Sequence, residues 1–351
     1  MGKECKKGCA IHTGRTAKKQ DIIKLNTNEN PYPPTPMAVE AAANFDMDLL
    51  RKYPDPNASV LVNAIAERYN VEPERVFVGV GSDDVISMAF LTFFNSDKPI
   101  LFPDVSYSFY SVWADVYRIP YERPELDDNF RIVKEDYYRE NGGIIFPNPN
   151  APTAICEGLD FIEDIVSHNR DVVVIVDEAY IDFGGESALK LIDKYDNLLV
   201  VQTFSKSRSM AGMRIGYAIG NKALIKAMND VKFSINSYTM NQYAINLGVW
   251  AVRDNVYFER MVNKIINTRE NAKIRLRELG FTFPDSKANF IFATHKKAPA
   301  KEIFEALRDA GIYVRYFNSP RIDNYLRITI GTDGEMEALF DFLEKFLAKY
   351  N

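Results

Sequence analysis

The chain contains few cysteines and few histidines, three of each among 351 residues. Cys5, Cys9 and Cys156 are too few and too unevenly placed for a disulfide framework in a chain of this size. Cys5, Cys9 and His12 could in principle bind a metal, but the first twenty residues are polar and rich in lysine, which favours a loosely ordered tail. We therefore predict no metal.

Long apolar runs and an excess of basic charge are also absent. No stretch approaches the roughly 20 apolar residues of a membrane helix, and the beginning of the chain lacks the apolar segment of a signal peptide. A net charge of -5 argues against general nucleic-acid affinity, which relies on clustered Lys and Arg. With 46% apolar residues, the chain can bury a large core. We expect a cytoplasmic globular protein that acts on small molecules, without membrane or nucleic-acid partners.

Short apolar runs separated by helix-length segments are typical of the middle of the chain; they cover 99–103, 143–146, 172–176 and 198–202. Continuous apolar runs of this length indicate strands of a mostly parallel sheet that is covered on both faces. After residue 280 the pattern predicts strand, helix, strand, strand and helix, over 289–293, 300–310, 313–316, 325–331 and 335–350. The predicted fold class is α/β, with a large domain and a smaller α+β domain.

Lys206 follows one predicted strand, while Asp177 and Tyr180 follow another. Ligand sites in parallel sheets form beyond the carboxyl ends of the strands. A lysine that forms an imine and an acid that pairs with a pyridinium nitrogen are what pyridoxal phosphate requires. We predict that Lys206 holds this cofactor and then carries the proton of the substrate α-carbon, while Asp177 keeps the ring nitrogen protonated. Tyr180 is predicted to donate to the ring phenolate.

Other segments predict the position of the cofactor phosphate and ring. Residues 76–82 pass from a strand through glycines into a helix start, which is a site where anions bind. The predicted phosphate ligands are Thr203, Ser205, Arg214 and the backbone amides of Gly81, Ser82 and Asp83. Tyr107 is predicted to stack on the pyridine ring. Taken singly, each residue has an ordinary alternative as a helix cap or a packing side chain, but their shared placement at strand ends favours a cofactor site.

The same residues lie in motifs that resemble the class I/II aminotransferases of the aspartate-aminotransferase fold, or fold type I. Within that family the resemblance is to the histidinol-phosphate aminotransferases. The motifs are Leu-Asn-Thr-Asn-Glu-Asn-Pro at 25–31, Tyr-Pro-Asp at 53–55, Gly-Val-Gly-Ser-Asp at 79–83, Pro-Asn-Pro-Asn-Ala-Pro-Thr at 147–153, Asp-Glu-Ala-Tyr at 177–180, Thr-Phe-Ser-Lys at 203–206, Ala-Gly-Met-Arg-Ile-Gly at 211–216 and Leu-Arg-Ile-Thr-Ile-Gly at 326–331. The resemblance implies an N-terminal arm and lid over 1–45, a cofactor-binding domain over 46–252 and a small domain over 253–351.

The resemblance also implies a substrate site and a homodimer with shared active sites. Arg327 would pair with the carboxylate of glutamate or 2-oxoglutarate, and Arg315 would help to bind the phosphate of histidinol phosphate. Asn30 would lie in the arm that closes over the substrate. Tyr53 would reach the cofactor phosphate of the neighbouring subunit.

One motif departs from the family pattern. Relatives carry Asn-Pro-Thr-Gly, whose asparagine bonds the ring phenolate, whereas this chain has Ala-Pro-Thr-Ala from Ala151 to Ala154. Asn150 lies one residue earlier and is the candidate substitute, while Tyr180 could support the phenolate alone.

The activity that the resemblance implies is transamination in histidine biosynthesis. In this reaction histidinol phosphate and 2-oxoglutarate are interconverted with imidazole-acetol phosphate and glutamate by transfer of an amino group. The alternatives with the same cofactor are an aromatic amino acid aminotransferase and a threonine-phosphate decarboxylase. A third alternative is a regulator that binds the cofactor without turnover. Such regulators carry an upstream DNA-binding domain, and no helix-turn-helix pattern precedes residue 21. Lys206 and Asp177 also favour turnover.

Overall fold

The structure is a computed structural model that describes residues 22–350. Cys5, Cys9 and His12 lie outside the described residues. Helices of this range are α1 (Pro36–Ala43), α2 (Ser59–Tyr69), α3 (Ser82–Phe93), α4 (Phe109–Tyr117), α5 (Leu159–His168), α6 (Lys222–Ile235), α7 (Gln242–Arg253), α8 (Asn255–Glu278), α9 (Ala300–Asp309) and α10 (Asp333–Leu347). Its strands are β1 (Ile23–Lys24), β2 (Val76–Gly79), β3 (Ile100–Leu101), β4 (Tyr121–Glu122), β5 (Ile144–Pro147), β6 (Val174–Asp177), β7 (Leu198–Thr203), β8 (Gly216–Gly220), β9 (Phe281–Thr282), β10 (Phe290–His295), β11 (Ile312–Tyr313), β12 (Arg315–Tyr316) and β13 (Leu326–Thr329).

A seven-stranded sheet in the order β2-β8-β7-β6-β5-β3-β4 forms the centre of the larger unit. Strands β3 to β7 run parallel, as the apolar runs predict, but β8 pairs antiparallel with both β7 and β2. Strand β8 is not predicted from the sequence, because glycines at both its ends interrupt the apolar pattern. Gly216 is required there: a Cβ on it would lie 2.3 Å from the carbonyl carbon of Gly81.

Both faces of this sheet are buried, which explains the continuous apolar runs. In β6, Val174 and Val176 belong to one hydrophobic cluster, while Ile175 between them belongs to the cluster on the opposite face. All three side chains are fully buried. Burial of each contributes about 1.5–3 kcal/mol relative to exposure. This packing holds the carboxyl ends of β5, β6 and β7 in fixed positions.

The smaller unit contains the antiparallel sheet β12-β13-β10-β9 with α8, α9 and α10. The single strand predicted over 313–316 is in fact two short strands. Ile312–Tyr313 pairs in parallel with β1, whereas Arg315–Tyr316 pairs with β13, and the buried Val314 lies between them. The segment that contains β1 therefore packs against the smaller unit. The limits 1–45, 46–252 and 253–351 stay a prediction.

Two arginines connect the two units. Arg269 on α8 donates hydrogen bonds to the carbonyl oxygens of Phe183, at 2.7 Å, and Ala288, at 3.0 Å. Arg321, between β12 and β13, donates to the Asp104 carboxylate at 2.8 Å, and its other terminal nitrogen donates to two carbonyl oxygens beyond it. Charged donors of this kind make the stronger class of hydrogen bonds.

Within residues 22–350, no helix combines the length and the apolarity that crossing a membrane requires. The same residues contain no cluster of three or more His, Cys, Asp or Glu side chains with the spacing of a metal site.

Candidate active site

Lys206 lies just beyond the end of β7, between the N-terminal segment and Tyr180. Its Nζ donates a hydrogen bond to the carbonyl oxygen of Thr27 at 3.2 Å and lies 5.8 Å from the centroid of the Tyr180 ring. The side chain is half-buried. The amine is therefore accessible to a ligand at the carboxyl ends of the strands, where the sequence predicts the site.

Asp177 ends β6 with its carboxylate almost completely buried. The Tyr110 hydroxyl donates to it at 2.7 Å, and the backbone N–H of Ala179 donates at 3.3 Å. Burial raises the pKa of the Asp177 carboxyl to about 6, although both hydrogen bonds favour the ionised form. A cationic partner would offset this cost, which makes Asp177 a suitable acceptor for a protonated ring nitrogen.

The start of α3 forms an anion-binding cradle with Arg214. The helix begins after Gly81, which has a φ of 87° and provides no side-chain cap, so the first backbone N–H groups have no partner within the helix. A Cβ on Gly81 would lie 2.4 Å from Nη2 of Arg214, which shows how closely the guanidinium approaches this turn. Arg214 also donates to Asp83 at 3.3 Å. Backbone amides and a guanidinium at a helix start are suited to a phosphate.

Thr203 and Ser205 supply hydroxyl groups next to the cradle. The Thr203 hydroxyl donates to Ser205 Oγ at 3.0 Å and accepts from the Ser205 backbone N–H at 3.1 Å. Both side chains are buried. The Thr203 hydroxyl also lies 3.3 Å from the carbonyl oxygen of Ile215, the second acceptor for its one proton. When Ser205 Oγ accepts from Thr203, the proton of Ser205 can be donated to an anion.

Tyr107 is fixed by its hydroxyl, which donates to Asp83 at 2.8 Å. Its ring lies 5.6 Å from that of Tyr110 in an edge-to-face arrangement and 5.6 Å from Phe109 in a stacked one. Tyr107 thus contacts Asp83 of the phosphate cradle on one side and Tyr110 on the other. Tyr110 in turn binds Asp177. Its stacking role stays a prediction.

Asn150 has both amide hydrogens occupied. Its Nδ2 donates to the carbonyl oxygen of Val105 and to Thr153 Oγ1, both at 3.0 Å, and its buried Oδ1 has no partner within the described residues. Reversing the amide would place its oxygen against the Val105 carbonyl oxygen, where two acceptors repel. In this orientation Asn150 offers an acceptor, whereas a phenolate requires a donor. Its role in cofactor binding stays a prediction.

Arg327 and Arg315 are opposite each other on β13 and β12. Nη2 of Arg327 donates to the carbonyl oxygen of Asn26 at 2.8 Å, but its Nε is buried without a partner in the described part of the chain. Burial lowers the pKa of the Arg327 guanidinium, and the neighbouring charge of Arg315 acts in the same direction. Arg315 is exposed. A half-buried guanidinium whose Nε lacks a partner is suited to an anionic ligand group.

Two predicted residues have other contacts here. Asn30 donates to the carbonyl oxygens of Lys206 at 3.0 Å and Ser207 at 3.2 Å, so its amide holds the backbone that carries the lysine. Tyr53 is 82% exposed and stacks on Tyr238 with ring centroids 4.6 Å apart. Neither contact tests the substrate or partner-subunit role predicted for the residue.

Tyr110 and Asn28, which contact Asp177 and Tyr180 respectively, are not predicted from the sequence as site residues. Tyr110 lies in the first turn of α4 and Tyr107 just before the helix, with their rings 5.6 Å apart, but nothing in this spacing indicates a contact with Asp177. Asn28 lies within the motif at 25–31, but nothing in its spacing indicates a contact with residue 180.

The site as a whole fits pyridoxal phosphate. The α3 cradle with Arg214 suits its phosphate, the buried Asp177 suits its ring nitrogen, and the accessible Lys206 suits its aldehyde. The close approach at Gly81 leaves no room for a larger residue, as expected where the backbone itself binds a ligand.

Comparison with known proteins identifies the family. The sequence profile described as "Aminotransferase class I and II" matches residues 20–343. A histidinol-phosphate aminotransferase of Lactococcus lactis subsp. cremoris is 50% identical over 334 residues, which are 95% of this chain and 94% of the relative. One of Brachyspira hyodysenteriae is 51% identical over 95% of this chain and 93% of the relative.

Solved structures agree on the fold. The histidinol-phosphate aminotransferase of Sinorhizobium meliloti, in complex with pyridoxal-5'-phosphate, has a TM-score of 0.86 at 21% identity and covers 94% of this chain and 92% of its own. The central sheet and the smaller antiparallel unit therefore have the aspartate-aminotransferase-like fold that the sequence predicted. The chain belongs to the class I and II aminotransferases and is an enzyme of that family.

Proposed function

We propose that this aminotransferase uses pyridoxal phosphate to exchange the amino group between histidinol phosphate and 2-oxoglutarate, in histidine biosynthesis. Relatives at about half identity over nearly the whole chain carry that activity in their names. The observation that carries the proposal is the pair Arg315 and Arg327, which face the same side of the sheet with no carboxylate partner in residues 22–350. A glutamate carboxylate and a histidinol phosphate group are both anions that such a pair can bind.

The chain supplies binding groups and proton transfer, while the bound cofactor supplies an electron sink for the carbanion. Gly81, Ser82, Asp83, Thr203, Ser205 and Arg214 would hold its phosphate. Asp177 would keep a proton on the ring nitrogen, and Tyr180 would donate to the ring oxygen. Lys206, once substrate amine has replaced it, would move the proton at the substrate α-carbon.

Arg327 would bind the anionic end of each substrate in turn. Its guanidinium lies 5.4 Å from the Phe290 ring centroid and 5.8 Å from that of Phe317, which limits its movement. A fixed, partly desolvated guanidinium favours bidentate contact with a carboxylate or phosphate. Arg315 would add a second positive charge, which attracts a phosphate dianion more strongly than a carboxylate.

A homodimer with shared active sites in the cytoplasm is part of the proposal. Tyr53 and Tyr238 form an exposed aromatic pair, and the nearby chain also exposes Met47 and Leu50. An apolar surface of this kind is typical of a protein interface. Tyr53 would reach the cofactor phosphate of the partner subunit from this surface, and Asn30 would close the arm over the substrate.

The test compares amino acceptors and donors in the purified enzyme and its Arg315→Ala variant. We expect the wild-type enzyme to use histidinol phosphate, and we expect the variant to lose kcat/KM for it at least tenfold more than for glutamate, because phosphate carries the larger charge. A preference for phenylpyruvate that Arg315→Ala leaves unchanged would instead support the aromatic aminotransferase. Carbon dioxide release from threonine phosphate would support the decarboxylase.

A further inference from the structure

Asn28 contacts the hydroxyl group of Tyr180 inside the closed interface between the N-terminal segment and the site. Its Nδ2 donates to Tyr180 Oη at 2.9 Å, and the residue is only 1% exposed. Thr329 on β13 makes two bonds with the same residue: its hydroxyl accepts from the Asn28 backbone N–H at 3.1 Å and donates to Oδ1 at 3.0 Å. Asn289 donates to the Asn28 carbonyl oxygen at 3.0 Å.

These contacts fix which way the amide of Asn28 points. Reversing the amide would put its NH₂ group against Thr329 and leave the buried Thr329 hydroxyl proton without an acceptor. A buried unpaired donor is costly, so Oδ1 faces Thr329 and Nδ2 faces Tyr180. The Tyr180 hydroxyl must therefore accept from Asn28, and its own proton points elsewhere.

That proton has no competing protein acceptor in residues 22–350. No hydrogen bond other than that from Asn28 involves Tyr180 Oη, and the ring lies beside Lys206. The other candidate donor to a ring phenolate is absent, since Ala151 has no polar side chain and Asn150 has committed both amide hydrogens. Tyr180 is thus the hydroxyl donor that the site can offer at this position.

We propose that Asn28 is a positioning residue, which accepts from Thr329, donates to Tyr180 and so directs the Tyr180 proton onto the ring oxygen of the bound cofactor. The inference rests on the proposed function, because it assumes pyridoxal phosphate at Lys206. It adds a residue of the N-terminal segment to the control of the cofactor's electronic state.

The backbone conformation at Asn28 restricts which residues can occupy this position. Its φ is 56°, in the left-handed region that asparagine and glycine adopt most easily. Glycine keeps this conformation but removes the amide, and aspartate keeps the shape but replaces the donor by an acceptor. Asn28→Gly and Asn28→Asp therefore separate the hydrogen bond from the backbone conformation.

The experiment measures the pH midpoint of the visible absorption band of the cofactor-loaded enzyme. A hydrogen bond donated to the ring oxygen withdraws negative charge that would otherwise stabilise the protonated nitrogen linking Lys206 to the cofactor. Removing the donor should raise the midpoint. We expect an increase of about one pH unit for Tyr180→Phe and an increase in the same direction for Asn28→Gly. Asn28→Asp should raise it at least as much as Asn28→Gly, because the carboxylate takes the Tyr180 proton.

The double variant Asn28→Gly/Tyr180→Phe gives the sharpest test. If Asn28 acts through Tyr180, the double variant has the midpoint of Tyr180→Phe alone. Asn70→Gly is the matched control: Asn70 has a φ of 53° at the exposed end of α2, so the variant should keep the wild-type midpoint. Asn28→Asp provides the measurement if Asn28→Gly fails to fold.

The outcomes distinguish the two proposals. A shift in Tyr180→Phe without one in either Asn28 variant overturns the role of Asn28 and leaves the proposed function standing. A shift in Asn28→Gly that persists undiminished on top of Tyr180→Phe also overturns it. A wild-type enzyme without the visible band contradicts the proposed cofactor and, with it, this inference.

Discussion

Arg315 and Arg327 are cross-strand partners in the antiparallel pair β12 and β13, with two positive charges on one face of a sheet. Like charges directly opposite each other destabilise a sheet. The pair has no acidic partner in residues 22–350, and Arg327 is held between aromatic rings with a buried free donor. We propose that an anionic ligand, bound between the two guanidinium groups, offsets this repulsion.

Arg327→Lys should reduce kcat/KM for glutamate by about 100-fold, because lysine keeps the charge but loses the bidentate contact. Steady-state kinetics at saturating cofactor would measure this. Arg308→Lys is the control, since Arg308 is an exposed arginine whose ion pair within residues 22–350 is with its neighbour Asp309. Equal losses in the two variants would contradict a carboxylate-binding role for Arg327.

Gly81→Ala should weaken pyridoxal phosphate binding by at least tenfold, because the new Cβ would displace the Arg214 guanidinium, 2.4 Å away. The substitution also strains the backbone at a φ of 87°. Gly311→Ala separates the two effects: its φ of 80° is similar, but no atom lies within 4 Å of the new Cβ. Titration of cofactor-free protein with pyridoxal phosphate measures both affinities, and only Gly81→Ala should differ from the wild type.

Asp177→Asn should stabilise the cofactor-free protein at neutral pH while impairing catalysis. Burial raises the folded-state pKa of this carboxyl to about 6, above its unfolded value, so its ionised form destabilises the fold. That penalty is absent below the unfolded pKa, grows as the pH rises, and reaches about 3 kcal/mol above pH 6. Urea unfolding of the cofactor-free variant should therefore show a larger gain in free energy of unfolding at pH 8 than at pH 5.

The exposed Asp171 supplies the control for this measurement. Asp171→Asn should change the free energy of unfolding by less than about 0.5 kcal/mol at either pH. A gain in Asp177→Asn that does not depend on pH would show that its ionisation does not limit stability.

Residues at strand ends could be predicted from the sequence, because a residue that directly follows a buried parallel strand lies at the carboxyl edge of the sheet. Lys206, Asp177 and Tyr180 were predicted in this way and their roles stay a prediction, whereas the fold prediction was confirmed. Strand β8 was not predicted, because its glycines interrupt the apolar pattern. Gly216 is needed instead for the close contact between β8 and the start of α3.

Contacts between segments that are distant in the sequence could not be predicted. Asn28 meets Tyr180 across 152 positions, and Tyr110 meets Asp177 across 67, through packing that no local spacing encodes. The orientation of the Asn150 amide likewise depends on the carbonyl of Val105, on a different loop. The role of Tyr53 depends on a second subunit and stays a prediction.

The most direct test of the central claim is the visible absorption spectrum of the purified protein before and after glutamate, and of a fresh sample before and after histidinol phosphate. We predict a yellow band that both amines bleach, and no such band involving the lysine in Lys206→Ala. Bleaching by glutamate but not by histidinol phosphate would contradict the proposed substrate. A colourless protein that does not take up pyridoxal phosphate would contradict the proposed chemistry.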